Sequence, residues 1–438
     1  MSKRTFSIIL PALFIITMLQ VSCKACKSGE SSRPLAGEDD EKKPPADDDG
    51  DEGKKAPCFR KTWGPMLLSS DKLNVVGLSA ATGVGQVGVL WIEVGQGKSE
   101  VFFTRIAGSE KTDTLQVTGG ASGFPPTAMA WTGKDFYLTW GDDTFRRIEL
   151  FVARIAPNGA MELAPKQFTR TKSPKDADVY SSDSSQEPAM TYYEGNLLMV
   201  WGGPGDYARQ HIYHTTISKS GKPIYQPDRI TSGPYDHTGF NLVPSDNGAN
   251  LYYCVNTSTG NEVYRTRLSG TPPRAEQEPS SVLSTIYSPC RAEEFMIGDR
   301  GLILWPEKTE KRGIITCTLK FLGVMPDGSF RSSVTLKGTE LVMFPGKMRR
   351  AFDGIKVDDQ VAVAWVDVPP AGGQTIKTAI FQESGNPVCE PVEMESNMIP
   401  TDSRILYAGH GRQYVVLWVD RRIDKPFYSL YGAGLEIP

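Results

Sequence analysis

Short apolar runs recur from Pro57 to the end of the chain, each bounded by Gly, Asn, Asp or Ser. Within many of them apolar and polar positions alternate, the period of a half-buried β-strand. Aligned on their clearest phrase, the runs end in Trp at Trp91, Trp140, Trp201, Trp305, Trp365 and Trp418. In the wide gap between Trp201 and Trp305, "NLYYCVN" places Cys254 in the same setting. The seven anchors stand about fifty to sixty residues apart, a period in the range of propeller blades.

Each unit has four strand-like parts. In the third unit they read "EPAMTYYEG", "NLLMVWGG", "HIYHTTISKSG" and "KPIYQPDRIT". The turns after third strands, "APNGA", "SKSGK", "MPDGS" and "ESGNP", carry the Gly, Asn and Asp residues that tight hairpins need. A lone four-stranded meander leaves both faces bare, whereas a ring of them lets each sheet pack on the next. The pattern therefore predicts an all-β, seven-bladed β-propeller of four-stranded antiparallel blades. An irregular ring of six or eight blades is the alternative, because the fourth unit is the weakest. The last unit lacks a fourth strand, and "CFRKTWGPMLLSS", Cys58 to Ser70, precedes the first unit unassigned. The N-terminal strand is thus expected to complete the C-terminal blade and remove two open edges.

This texture, with Trp, one residue and an acid at the end of the second strand, resembles a broad group of secreted bacterial propeller proteins. The best copy is Trp418, Asp420, Arg422. The resemblance spans Pro57 to Pro438 and implies a fold and an envelope location, not an activity.

The N-terminus is read differently. Lys3 and Arg4 precede an apolar stretch from Phe6 to Leu19, the plan of a signal peptide over residues 1–22. "LQVSC" resembles the lipobox of bacterial lipoproteins, with Gln20 where Leu is usual. That resemblance implies acylation (palmitate) at Cys23 and a membrane lipid anchor, with the outer membrane as destination. Plain secretion after cleavage near Ser22 or Ala25 is the alternative, and an uncleaved inner-membrane anchor a third reading. Residues 23–56 are acidic and nearly free of large apolar groups, so a disordered linker is expected. The domain boundaries are then 1–22, 23–56 and 57–438.

Net charge is −3, which gives no basic field for nucleic acid. Two places after the anchors stand Glu93, Asp142, Gly203, Asn256, Glu307, Asp367 and Asp420. Their first reading is structural, a carboxylate fixing a loop mouth. The sharper reading is an acidic ring that attracts a cation. His211 and His214 lie three apart on a strand and point to opposite faces, so they cannot chelate one metal together. "GQGKS" has Ile92 where a phosphate loop needs Gly. "SDNGANLY", Ser245 to Tyr252, lacks the spacing and the position of a sialidase Asp box. No catalytic residue, metal or cofactor is assigned. Cys254 and Cys290 fall near one rim and form the favoured disulfide pair, with buried thiols as the alternative.

The longer connections follow second and fourth strands and emerge on one face. There Tyr180, Tyr207, Arg209, Tyr235, Asp236 and His237 are the candidate ligand residues. The leading functional expectation is a monomeric, envelope-anchored, non-enzymatic binding or scaffold propeller that holds a protein or glycan. A polysaccharide-acting glycosidase or lyase is the first alternative, and a structural subunit of an envelope complex the second.

Overall fold

The structure is a computed structural model. Contacts divide the chain into two units, Met1–Gly53 and Lys54–Pro438. The residues described are 56–118, 123–142, 148–169, 188–193, 195–204, 209–245, 248–257, 260–276, 280–285, 292–297, 300–311, 314–325, 329–341, 352–367, 374–395, 398–407, 412–422 and 425–438. The signal segment, Cys23 and the acidic linker lie outside them.

The second unit is a seven-bladed β-propeller. Seven separate antiparallel sheets follow one another along the chain, each with four strands in spatial order or a fourth position split in two. The first strands are Asn74–Gly83, Gly123–Trp131, Ala189–Tyr193, Asp236–Ser245, Glu293–Ile297, Phe352–Val357 and Met398–Tyr407. Each lies against the first strand of the next blade, and the seventh returns to the first. They therefore line the axis, and the fourth strands form the outer rim.

Ring closure follows the expectation. Arg60–Leu67 pairs with Ser429–Glu436 as the outer strand of the seventh blade. The short strand Asp228–Arg229, where "KPIYQPDRIT" suggests a longer one, shows that the outer position tolerates irregularity.

Two side-chain devices recur with the blades. At the end of the fourth strand a hydroxyl accepts a backbone N–H from the third: Val101 N to Thr118 Oγ1 (3.0 Å), Leu150 N to Thr169 (2.8 Å), Ile212 N to Thr231 (2.9 Å) and Leu319 N to Thr339 (3.1 Å). In the seventh blade Leu430 N donates to Ser69 Oγ at 2.9 Å, so the N-terminal strand carries the same cap as strands of its own blades. A hydroxyl placed there satisfies an amide that the ladder has stopped serving.

The second device is the anchor. Trp91, Trp140, Trp201, Trp305, Trp365 and Trp418 are all buried, each between its own blade and the preceding one. Burying an indole removes roughly 150–250 Å² from water, on the order of 4–6 kcal/mol before entropy is counted. The fourth anchor is Tyr253, not Cys254. Along Gly248–Thr257, Ala249, Leu251 and Tyr253 face the third blade, while Tyr252 and Cys254 face the fifth. Strand side chains alternate, so an alignment shifted by one residue selects the opposite face. The place two residues beyond this anchor is accordingly Val255, not Asn256.

The residue directly across from each anchor on the third strand is aromatic in five blades. Trp91 stacks on Phe102, Trp140 on Phe151, Trp201 on Tyr213, Tyr253 on Tyr264 and Trp418 on Tyr431, with centroids 5.8–6.2 Å apart. In the fifth and sixth blades Lys320 and Lys377 stand there instead, opposite Trp305 and Trp365.

Candidate ligand face

The acids two residues beyond the anchors are engaged within the fold. Trp91 Nε1 donates to Glu93 Oε1 at 2.9 Å, and Ser70 N and Oγ donate to the same carboxylate at 2.8 and 2.6 Å. Trp418 Nε1 donates to Asp420 Oδ2 at 2.7 Å. Glu307 and Asp367 instead form ion pairs with Lys320 and Lys377, the lysines that replace the stacking aromatic. Trp140 and Trp365, beside Asp142 and Asp367, have indole N–H groups with no hydrogen-bond partner. In the first and seventh blades the carboxylate serves the anchor's N–H, and in the fifth and sixth a cross-strand ammonium.

The third and fourth blades depart from this rule. Their places after the anchor are Gly203 and Val255, which carry no charge. At their junction, on the face where first strands begin, two histidines meet. His211 stands at the start of Gln210–Ile217 and His237 at the start of Asp236–Ser245. Their ring centroids are 5.2 Å apart, and His237 lies 5.7 Å from the Tyr253 ring. Both are buried, at 0% and 4% exposure. His237 Nδ1 is 3.0 Å from the Gln210 carbonyl oxygen, so Nδ1 holds the proton and donates. Burial, chiefly, pushes the pKa of His237 down, with the nearby His211 adding to the shift, which favours the neutral ring.

Above the rings lies an exposed polar pair. Arg209 Nη1 donates to Asp236 Oδ2 and Gln210 N to Asp236 Oδ1, both at 3.0 Å. One carboxylate therefore ties the third strand of one blade to the first strand of the next. Tyr235, immediately before Asp236, is 43% exposed. Four of the six candidate residues, Arg209, Tyr235, Asp236 and His237, are thus brought to one junction. Tyr180 and Tyr207 lie outside the described residues. The sequence does not single out His211, because its spacing to His214 rules out joint chelation. Its partner is on another blade, 26 residues away in sequence, and no local spacing encodes that contact. The usable signal was the missing acid in two consecutive units.

In four blades the first strand carries a register shift close to its start, at Val75/Gly77, Phe124/Thr127, Thr238/Asn241 and Pro400/Asp402. Such bulges bend the inner strand at the rim and re-aim its leading residues.

One disulfide lies outside the sequence expectation. Cys58 is bonded to Cys389, a cross-link over 331 residues. Cys254 is disulfide-bonded, while Cys290 lies outside the described residues. Cys317 is a buried thiol. Among the described residues no group of three His, Cys, Asp or Glu is gathered as a metal site, and no helix is long and apolar enough to cross a membrane.

No protein-family model matches the sequence, and no curated protein matches it. Solved structures do. The polysaccharide lyase Uly1 superposes with a TM-score of 0.52 at 9% identity, over 88% of this chain and 93% of that one. A protein of unknown function from Dyadobacter fermentans gives 0.49 at 10% identity, over 87% and 100%. The endo-arabinase from Bacteroides thetaiotaomicron gives 0.38 at 14% identity, over 70% and 90%. What the first of these likenesses carries, at such identity, is the propeller fold.

Proposed function

We propose that this protein is an exported, lipid-tethered glycan-binding propeller that works without catalysis, using the junction of the third and fourth blades. The observation that carries the reading is a break in the repeat. Where two neighbouring units lose the acid after the anchor, Arg209, Asp236 and Tyr235 converge above a buried histidine pair. Sites where a repeated rule fails locally are where function is expected to reside. A charged, fork-shaped donor, a carboxylate and an exposed ring suit a sugar, which offers hydroxyls and an apolar face. A protein partner is less well served. Among the described residues the large exposed apolar side chains are Leu67, Val84, Met161, Ile224, Tyr235, Phe330 and Val388, and of these only Tyr235 stands at this junction. A protein-docking surface would gather several of them into one patch.

Export and tethering rest on the N-terminal pattern and on disulfide use. The Cys58–Cys389 bond fits an oxidising compartment. Metabolic labelling with palmitate should mark the wild type and not Cys23→Ser.

A glycan array followed by calorimetry tests the binding. Arg209→Ala and Tyr235→Ala should each weaken the best glycan at least about tenfold, roughly 1.4 kcal/mol. Binding that ignores both substitutions, or no glycan bound by the wild type, would sink the reading. The enzymatic alternative has one observation in its favour: the buried His211–His237 pair beside Tyr253 has the residue types of acid–base chemistry. The polysaccharide lyase of similar fold belongs to that alternative. Turnover of any polysaccharide that is lost in His237→Ala would replace the binding reading with it.

A further inference from the structure

On the opposite face, between the fifth and sixth blades, lies a cavity of about 340 Å³. Its apolar lining is Leu302, Phe321 and Val334, and its polar lining is Arg331, Glu383 and the serines Ser332 and Ser384. That size is at the small end of ligand pockets, enough for one or two rings.

The polar wall is held in place. Glu383 sits in the tight turn after the third strand of the sixth blade, closed by Gly385 N to Gln382 O (2.9 Å) and Gln382 N to Asn386 O (3.1 Å). Asn386 Nδ2 donates to Ser384 Oγ at 3.0 Å, which fixes that hydroxyl. The turn is pressed on the fifth blade. Lys337 N donates to Gly385 O at 3.1 Å, and a Cβ on Gly385, whose φ is +75°, would stand 2.4 Å from Thr335 O. No other residue fits there without moving the wall.

The charge is unbalanced. Arg300 Nη1 lies 3.3 Å from Glu383 Oε2, and Arg331 Nη1 lies 3.3 Å from Glu383 Oε1. Arg331 Nε also donates to Met325 Sδ at 3.1 Å. Two guanidinium groups thus share one carboxylate, leaving one positive charge and further N–H donors at the mouth of the cavity. Arginine forks match carboxylates in bidentate geometry.

We propose that this cavity is a second binding site, for a sugar bearing a single carboxylate, a uronic acid. The sugar carboxylate pairs with Arg331 and Arg300. Its hydroxyls meet Glu383, Ser332 and Ser384, and the apolar face of the ring rests on Leu302 and Val334. The site is separate from the junction of the third and fourth blades and stands or falls without it.

Titration calorimetry or saturation-transfer NMR on the full chain with D-galacturonate and D-glucuronate tests this, with D-galactose and D-glucose as neutral controls. A ligand of one ring is expected to bind with a Kd on the order of 1 mM. The neutral sugars should bind at least about tenfold more weakly, as should uronate to Arg331→Gln. Arg300→Gln, which lies outside the cavity lining, should weaken binding less and guards against a folding defect in the first variant. Arg209→Ala should leave uronate binding unchanged. A trigalacturonide that binds more tightly than the monosaccharide identifies a chain end as the ligand, and equal affinity identifies the free sugar acid. No uronate binding, neutral sugars binding as well as uronates, or affinity unaffected by both arginine variants overturns the proposal.

Discussion

The indole N–H of Trp418 points to Asp420, with Nε1 and Oδ2 2.7 Å apart. Glu93 occupies the same place in the first blade, but its longer side chain also reaches Ser70, so it accepts three hydrogen bonds. Asp420 is fully buried, and its second oxygen has no partner. Burial pushes its pKa up to about 6 from the ordinary 3.8, against the favourable pull of Trp418 and Arg422 and with a small push from Glu395.

The sign of the stability effect follows. The folded state holds the Asp420 proton more tightly than the unfolded state does, so ionisation costs stability as pH rises from about 4 to about 6. In urea titrations Asp420→Asn should gain relative to wild type across that window, by on the order of 2–3 kcal/mol. A difference between the two proteins that stays constant from pH 4 to pH 7 would contradict it.

His237 should act in the opposite direction. Its pKa is lowered in the fold, so it contributes stability above about pH 6.5 that is lost as pH falls. His237→Gln should therefore flatten the acid limb of the melting-temperature profile between pH 7 and pH 5. An unchanged limb would mean that the ring is not held neutral.

Lys377 links the cross-strand position to Asp367. Lys377→Ala leaves Asp367, whose side chain is 11% exposed, without its ammonium and should cost about 1–3 kcal/mol. Lys377→Phe combined with Asp367→Asn installs the stacking found in five other blades and should recover most of that loss. A double variant no better than the single one would show that the two modes are not interchangeable.

Tyr253→Ala should cost about 3–5 kcal/mol in denaturant unfolding, as expected for a buried anchor. A cost under about 1 kcal/mol would restore Cys254 as the fourth anchor.

The Cys58–Cys389 bond fixes the chain to the sixth blade just before its strand joins the seventh, and Cys58 N donates to Glu390 O at 3.0 Å. Cys389→Ser should destabilise by about 2–5 kcal/mol. A chain beginning at Asp71, without the closing strand, should melt lower still.

The sequence by itself determined the propeller plan, the order of strands and the closing strand, and favoured seven blades over six or eight. These are local or periodic properties: a two-residue alternation, Gly-bearing turns and a Trp at each second-strand end, repeated often enough that one weak unit does not hide the period. It also set the loop-rich face, because chain direction alone decides where second and fourth strands end. The fourth anchor is ambiguous in the sequence because "NLYYCVN" offers two tyrosines and a cysteine in a row, and only packing against the third blade chooses Tyr253 over Cys254. The Thr and Ser caps were present as "QVT", "QFT", "RIT" and "LLS", but their donors lie on the third strand, and for Ser69 on the last blade 361 residues away. Tertiary structure alone decided what meets between blades. His211 with His237, Glu383 between two arginines, and Cys58 with Cys389 are contacts between units, where sequence distance carries no information about spatial distance.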